Sequence, residues 1–154
     1  MKSGSLSVYA GNLIVGDGRV LGNKYLGIMD GVIKEVSDKP LGDRFGDAVE
    51  YSGKDVMPGL IDAHVHIRYD PYGDPEKRSH EYQALRGAEN ARKTLSIGVT
   101  SLGEAGGIGN VVFAVRNAIN NGVTHGPRLF VSGCHQQERG RVQPPPLKLL
   151  LLSV

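Results

Sequence analysis

Asp62, His64 and His66 occupy every second position of the segment PGLIDAHVHI, Pro58 to Ile67. In a strand, alternation sends these three side chains to one face and Val65 to the other. Two imidazoles about 7 Å apart along a strand can converge on one divalent metal and leave its other positions to groups from elsewhere. Asp62, on the same face, can orient an imidazole by accepting its second N–H. On the residues alone two readings stand side by side: metal ligation, and a pair of partly buried, hydrogen-bonded histidines.

The other polar residues give less. Arg68 shares the inward face if the strand persists that far, and its guanidinium would then hold a substrate carboxylate by a bidentate pair. The reading preferred for it is a solvated arginine at the start of a loop. Glu104, in the loop after the second strand, falls on what would be the functional rim of a barrel, but the reading preferred for it is a solvated loop charge. His80 falls on a helix flank, His125 in a turn and His135 in a tail of different character, none with a partner at ligand spacing. Gly107, Gly109 and Val112 follow a strand and open a helix as a dinucleotide-binding loop would. GIGNVV lacks the third glycine, however, and no acidic residue ends the next strand.

The elements that must position these groups fall into three regions. Residues 1–56 hold short β-type runs, LSVYA, NLIV, YLGIMD, VIKEVS and DAVEYS, broken by turn residues. They predict an antiparallel β subdomain. Asp30 and Gly31 tolerate the positive φ of a two-residue primed turn, which pairs Tyr25–Met29 with Val32–Val36. From 57 to 133 the pattern alternates. KDVMPGLIDAHVHI reads as a mostly apolar strand. A helix follows, with Asp74 as cap, Pro75 at its first position and Tyr82, Leu85, Ala88, Ala91 and Leu95 at helical spacing until Gly98. Then come the strand VTSL, the glycine loop GEAGGIG, a helix over Asn110–Asn121 with Val112, Val115 and Ile119 on one face, and the strand RLFVS. Strand and helix alternating in units of about 30 residues predict parallel βα architecture. Such a barrel exposes its catalytic groups at the C-terminal ends of the strands, where His64 and His66 fall. Residues 134–154 carry three consecutive prolines and a leucine run, and continue neither pattern.

VMPGLIDAHVHI resembles the signature of the amidohydrolase superfamily, and the likeness extends on both sides. NLIVGDG, DGVIKEV and YSGKDVMPG resemble that superfamily's small β-sandwich. GVTSLGEAGG and GPRLFVSG are similar to the second and third barrel strands of its Xaa-Pro dipeptidase-like and imidazolonepropionase-like branch. The resemblance implies an α/β fold, a small N-terminal β-sandwich followed by the first two to three βα units of a (β/α)8 TIM barrel. It also implies a divalent metal, usually zinc, held by His64 and His66 with Asp62 behind them. The implied reaction is hydrolysis of an amide or dipeptide-like C–N bond, in which the ion lowers the pKa of bound water to about 7 and polarises the carbonyl. Other transition metals suit the same ligands. HVHIR also resembles the dihydroorotase-type pattern, in which the arginine grips a carboxylate, so a cyclic amidohydrolase is the alternative enzyme. The remaining ligands and the proton-transfer aspartate of the family lie on its fourth to eighth strands, so the resemblance identifies no catalytic base here. The roughly 90 residues after His66 hold fewer than three units of about 31 residues each. The sequence therefore reads as the N-terminal portion of a longer hydrolase, inactive alone, that leaves the ancestral register near Gly133.

Composition narrows the partners. The chain has 154 residues, a formal net charge of +2, 40% hydrophobic and 22% charged residues, and 22 glycines, which excludes disordered, collagen-like and coiled-coil classes. So small a charge gives no electrostatic reason for a nucleic-acid or membrane partner, and the small-molecule amide or dipeptide substrate is what the resemblance implies for the longer parent. One cysteine, Cys134, allows no internal disulfide, and neither an N-terminal apolar run nor a stretch approaching about 20 apolar residues is present. The expected location is the cytoplasm. A non-catalytic fragment that self-associates through an open sheet edge is the alternative of another class.

Overall fold

The computed structural model describes residues 4–46, 48–70, 73 and 77–132. The expected cap at Asp74 and Pro75, and the region from 134 with Cys134 and His135, lie outside them. The described chain divides after Gly59 into two units, each with its own sheet.

The first unit contains β1 (Ser5–Ile14), β2 (Val20–Met29), β3 (Val32–Ser37) and β4 (Ala48–Val56), in the order β3-β2-β1-β4. LSVYA and NLIV, expected as separate runs, are one continuous strand. The β2–β3 hairpin closes with Met29 opposite Val32. Asp30 and Gly31 both take positive φ, 52° and 74°, as a type I′ turn requires. The expectation of a wholly antiparallel subdomain is corrected at β4, which runs parallel to β1. A parallel neighbour needs a crossover longer than a hairpin loop, and the long segment from β3 to β4 supplies it. Among the described residues the unit forms one sheet, not two facing sheets. Val8, Ala10 and Leu13 from β1 meet Leu26, Ile28 and Val56 in its core.

Phe45 is fully buried after a short 3-10 turn, Gly42–Arg44. Its ring lies against Gly27, where a Cβ would stand 2.7 Å from the nearest ring atom, so glycine makes the seat for the aromatic face. Phe45→Ala is expected to cost about 3–5 kcal/mol, read as a lowered denaturation midpoint of the first unit by circular dichroism.

The second unit runs β5 (Leu60–Val65), α1 (His80–Ser96), β6 (Val99–Glu104), α2 (Val111–Asn120) and β7 (Arg128–Val131). Its sheet has the order β5-β6-β7 with both pairs parallel, the alternation that the spacing predicts. The run KDVMPGLIDAHVHI is not one strand. Its first residues finish β4, Met57 to Gly59 break the pairing, and β5 begins at Leu60, as a proline without an N–H and a glycine would impose. Ile67, Leu102, Val112, Val115 and Leu129 form the core between sheet and helices.

Helix α1 departs from expectation at its start and on its buried face. Ser79, not Asp74, is its cap, and its side chain accepts the Tyr82 N–H at 3.3 Å. Gly98, with φ 94°, bonds back to the Leu95 carbonyl and ends the helix. Leu85, expected in the core, is 73% exposed, whereas Gln83, Gly87 and Ala91 are buried. The inward side is built from small residues, Gly87 and Ala91 with Ala84 and Ala88 packed against the core, and at its edge Asn90 Nδ2 donates to the carbonyls of Ile67 (2.7 Å) and Tyr69 (2.9 Å).

Candidate metal-binding site

The three residues at alternate positions lie where β5 ends. Asp62 and His64 are in the strand, and His66 follows its last residue, Val65. The β5–β6 register shifts between Asp62, opposite Leu102, and Val65, opposite Glu104. Ala63 and His64 thus face the single residue Gly103, a β-bulge that re-aims the chain beside the site. The Ala63 backbone presses on β6 there, and a Cβ on Gly103 would stand 2.4 Å from the Ala63 carbonyl oxygen.

The imidazoles of His64 and His66 come together. Their ring centroids are 5.3 Å apart at an interplanar angle of 88°, and the Tyr69 ring stands edge-on to His66 at 5.3 Å. Asp62 takes another part than the expected one. Its Oδ1 accepts the backbone N–H of His64 at 3.1 Å, so it fixes the strand at the bulge instead of orienting a ring. Arg68 is neither in the strand nor solvated. It is 8% exposed, donates to Gln83 Oε1 at 3.0 Å and lies over the Tyr69 ring at 4.6 Å. The chain turns after Val65, which ends strand alternation, and packing against α1 then buries the guanidinium with hydrogen-bond partners, as burial of a charge demands.

Glu104 is the group that sequence reasoning placed wrongly. It ends β6, only 1% exposed. Its Oε2 accepts the Ile67 N–H at 2.7 Å. Its Oε1 accepts the Gly106 N–H at 3.2 Å and faces His66 Nδ1 at 3.3 Å. The Gly106 carbonyl faces the same nitrogen at 3.3 Å. This is the use made of the glycine loop after β6: it brings a backbone carbonyl to a histidine. The signal available in advance was position, since an acidic residue at the C-terminal end of the neighbouring parallel strand lies beside the histidines wherever the two strands pair.

His80 opens α1 near Gly109, and His125 is exposed before β7. Among the described residues no third histidine, cysteine or carboxylate joins His64 and His66 in a metal-sized cluster. What is present fits part of such a centre: two neighbouring imidazoles at a strand's C-terminal end, one with its Nδ1 held by acceptors.

Comparison with known proteins agrees with this architecture. The Amidohydrolase family model matches residues 56–145. Ochratoxinase of Aspergillus niger is 34% identical over 134 residues, covering 82% of this chain and 27% of its own length. The crystal structure of a Xaa-Pro dipeptidase with methionine bound in its active site superposes with a TM-score of 0.75 at 30% identity, over 84% of this chain and 33% of that one. A prolidase complexed with N-methylphosphonate-L-proline gives 0.72 at 29%, over 92% and 37%. The chain thus spans 27% of the length of the curated relatives it matches. With more than half of its residues matched by the family model, the chain belongs to the amidohydrolase family.

Proposed function

We propose that His64 and His66 are two ligands of a divalent metal, most readily zinc, in a hydrolase that cleaves C–N bonds of small amide or dipeptide-like substrates. The observation that carries this reading is the pair of imidazoles, 5.3 Å apart, at the C-terminal end of a parallel strand. That is the rim where a βα barrel collects its chemistry. On this reading residues 60–132 are the opening units of a (β/α)8 barrel, and the sheet of β1 to β4 is part of the small β-sandwich that accompanies it. The likeness to ochratoxinase and to prolidase-type structures supports an amide-directed activity.

When bound, such an ion supplies Lewis acidity and a water acidic enough to ionise near neutral pH. The chain's own residues bind and orient. His64 and His66 present their rings, Asp62 holds the strand at the bulge, and Asn90 and Gln83 of α1 fix the turn that follows. Arg68 is occupied by Gln83 and Tyr69, which draws support away from the cyclic amidohydrolase alternative.

Two imidazoles are half of a tetrahedral zinc shell. Calorimetric titration with zinc is expected to show one weak site that disappears in the double variant His64→Ala/His66→Ala. Tight binding that survives both substitutions would sink the assignment.

A further inference from the structure

We propose that Glu104 is a positioning residue that fixes His66 as its Nδ1–H tautomer, leaving the lone pair on Nε2. The tautomer stands on hydrogen bonding alone, while its use for a metal rests on the reading above.

The two groups that face His66 Nδ1 are the Glu104 carboxylate and the Gly106 carbonyl, each at 3.3 Å. Neither has a proton to give, since an ionised carboxylate and a backbone carbonyl only accept. The proton between them belongs to the ring nitrogen, so in the neutral imidazole Nε2 is bare. A bare nitrogen is what a metal ion binds, and a second-nitrogen contact to a carboxylate raises its basicity.

Glu104 is suited to this by having two accepting oxygens in a buried place. Three N–H groups converge on them: Ile67 on Oε2, Gly106 and the His66 ring on Oε1. A glutamine would have to turn its NH2 toward at least one of these donors, leaving buried N–H groups face to face. The same carboxylate also grips the backbone of Ile67, the residue next to His66, so it holds the ring and the chain that carries the ring together. His64 lacks this arrangement. Its ring meets His66 edge-on, and its neighbouring carboxylate, Asp62, is taken up by a backbone amide. The two histidines of the pair are therefore unequal, and His64 serves as an internal control.

The test is the two-bond ¹H–¹⁵N spectrum of the histidine rings in the metal-free 154-residue chain, recorded near pH 8.5, roughly two units above the ordinary imidazole pKa. In the wild type, His66 is expected to show a protonated Nδ1 and an unprotonated Nε2. In Glu104→Gln the His66 pattern is expected to move toward the Nε2–H form, with His64 unchanged and zinc affinity reduced about 10–100-fold. A protonated Nε2 on wild-type His66 would overturn the proposal. So would a variant that folds and keeps the Nδ1–H pattern, because the Gly106 carbonyl would then suffice. Glu104→Asp is the second variant should Glu104→Gln not fold. Its carboxylate stands one methylene short of the ring, so it is expected to release the tautomer, and retention would count against Glu104. A tautomer that follows Glu104 in a chain that binds no zinc would sustain the positioning role and remove the metal reading.

Discussion

Gly103→Val is expected to unfold the second unit or to part β5 from β6. The added Cβ would lie 2.4 Å from the Ala63 carbonyl oxygen, 2.9 Å from its carbon and 3.2 Å from its Cα. These are backbone atoms of a paired strand, so no side-chain rotation relieves the collision. Retreat is closed on the other side as well, because β6 is the central strand and Gly103 is paired with Phe130 of β7. Ordinary overpacking costs about 1–3 kcal/mol, and a clash with backbone exceeds the upper end of that range. Against a typical total stability of about 5–15 kcal/mol, a loss of that size in a three-stranded sheet leaves little native population. Denaturant titration followed by circular dichroism measures it. Gly103→Ala should show a smaller shift of the same sign, and a wild-type midpoint for the valine variant would show that the bulge can open without cost. Zinc binding should fall with the fold, because β5 carries His64 and leads directly into His66.

The 154-residue chain is expected to show no measurable hydrolysis of Xaa-Pro dipeptides or cyclic amides with zinc, manganese or cobalt added. Proton transfer to a leaving amine needs an acid or base within hydrogen-bond reach. Among the described residues the two carboxylates hydrogen-bonded to these histidines are already engaged, Asp62 by the His64 amide and Glu104 by three N–H groups. Absence of a shuttle alone costs about 10² to 10⁴ in rate. An ion held by two imidazoles is also poorly fixed, which weakens activation of its water. The assay needs His64→Ala as its control. Turnover abolished by that substitution would show that the chain supplies a complete centre.

Local chemistry was readable along the chain where one residue type answers one geometric demand. Asp30 and Gly31 announce their turn because few residues take positive φ twice in succession, and the helix of Val111–Asn120 announces itself by the spacing of Val112 and Val115. The alternation of strands and helices from Leu60 to Val131 follows in the same way. The misreadings share a cause, which is that contact between distant segments decided them. Glu104 looks like a loop charge until β6 pairs with β5 and sets it beside a histidine 38 residues earlier. Arg68 looks solvated until α1 closes over it. Leu85 fits the helical period, yet α1 turns Gly87 and Ala91 inward together with Gln83, whose partners are a guanidinium and the Arg78 carbonyl that no periodicity reveals. Asp62 stands on the strand that the spacing predicts, but the bond its Oδ1 accepts from the His64 backbone lies at the bulge opposite Gly103, which is invisible without the register.

The order of strands in the first sheet also favours one order of assembly over others. The β2–β3 hairpin, closed by its two-residue turn, joins segments adjacent in sequence, and such pairings form in about 1–10 μs. Strand β1 can then add to β2 across the short turn between Ile14 and Val20. The pairing of β1 with β4 comes last, since Ser7 must find Ala48 across a loop that already contains the hairpin, and closure entropy is lost before any of that contact is gained. Refolding of this sheet should therefore be limited by the arrival of β4. Until it arrives, one edge of β1 stays bare, and that interval is when the nascent chain is most open to pairing with another copy.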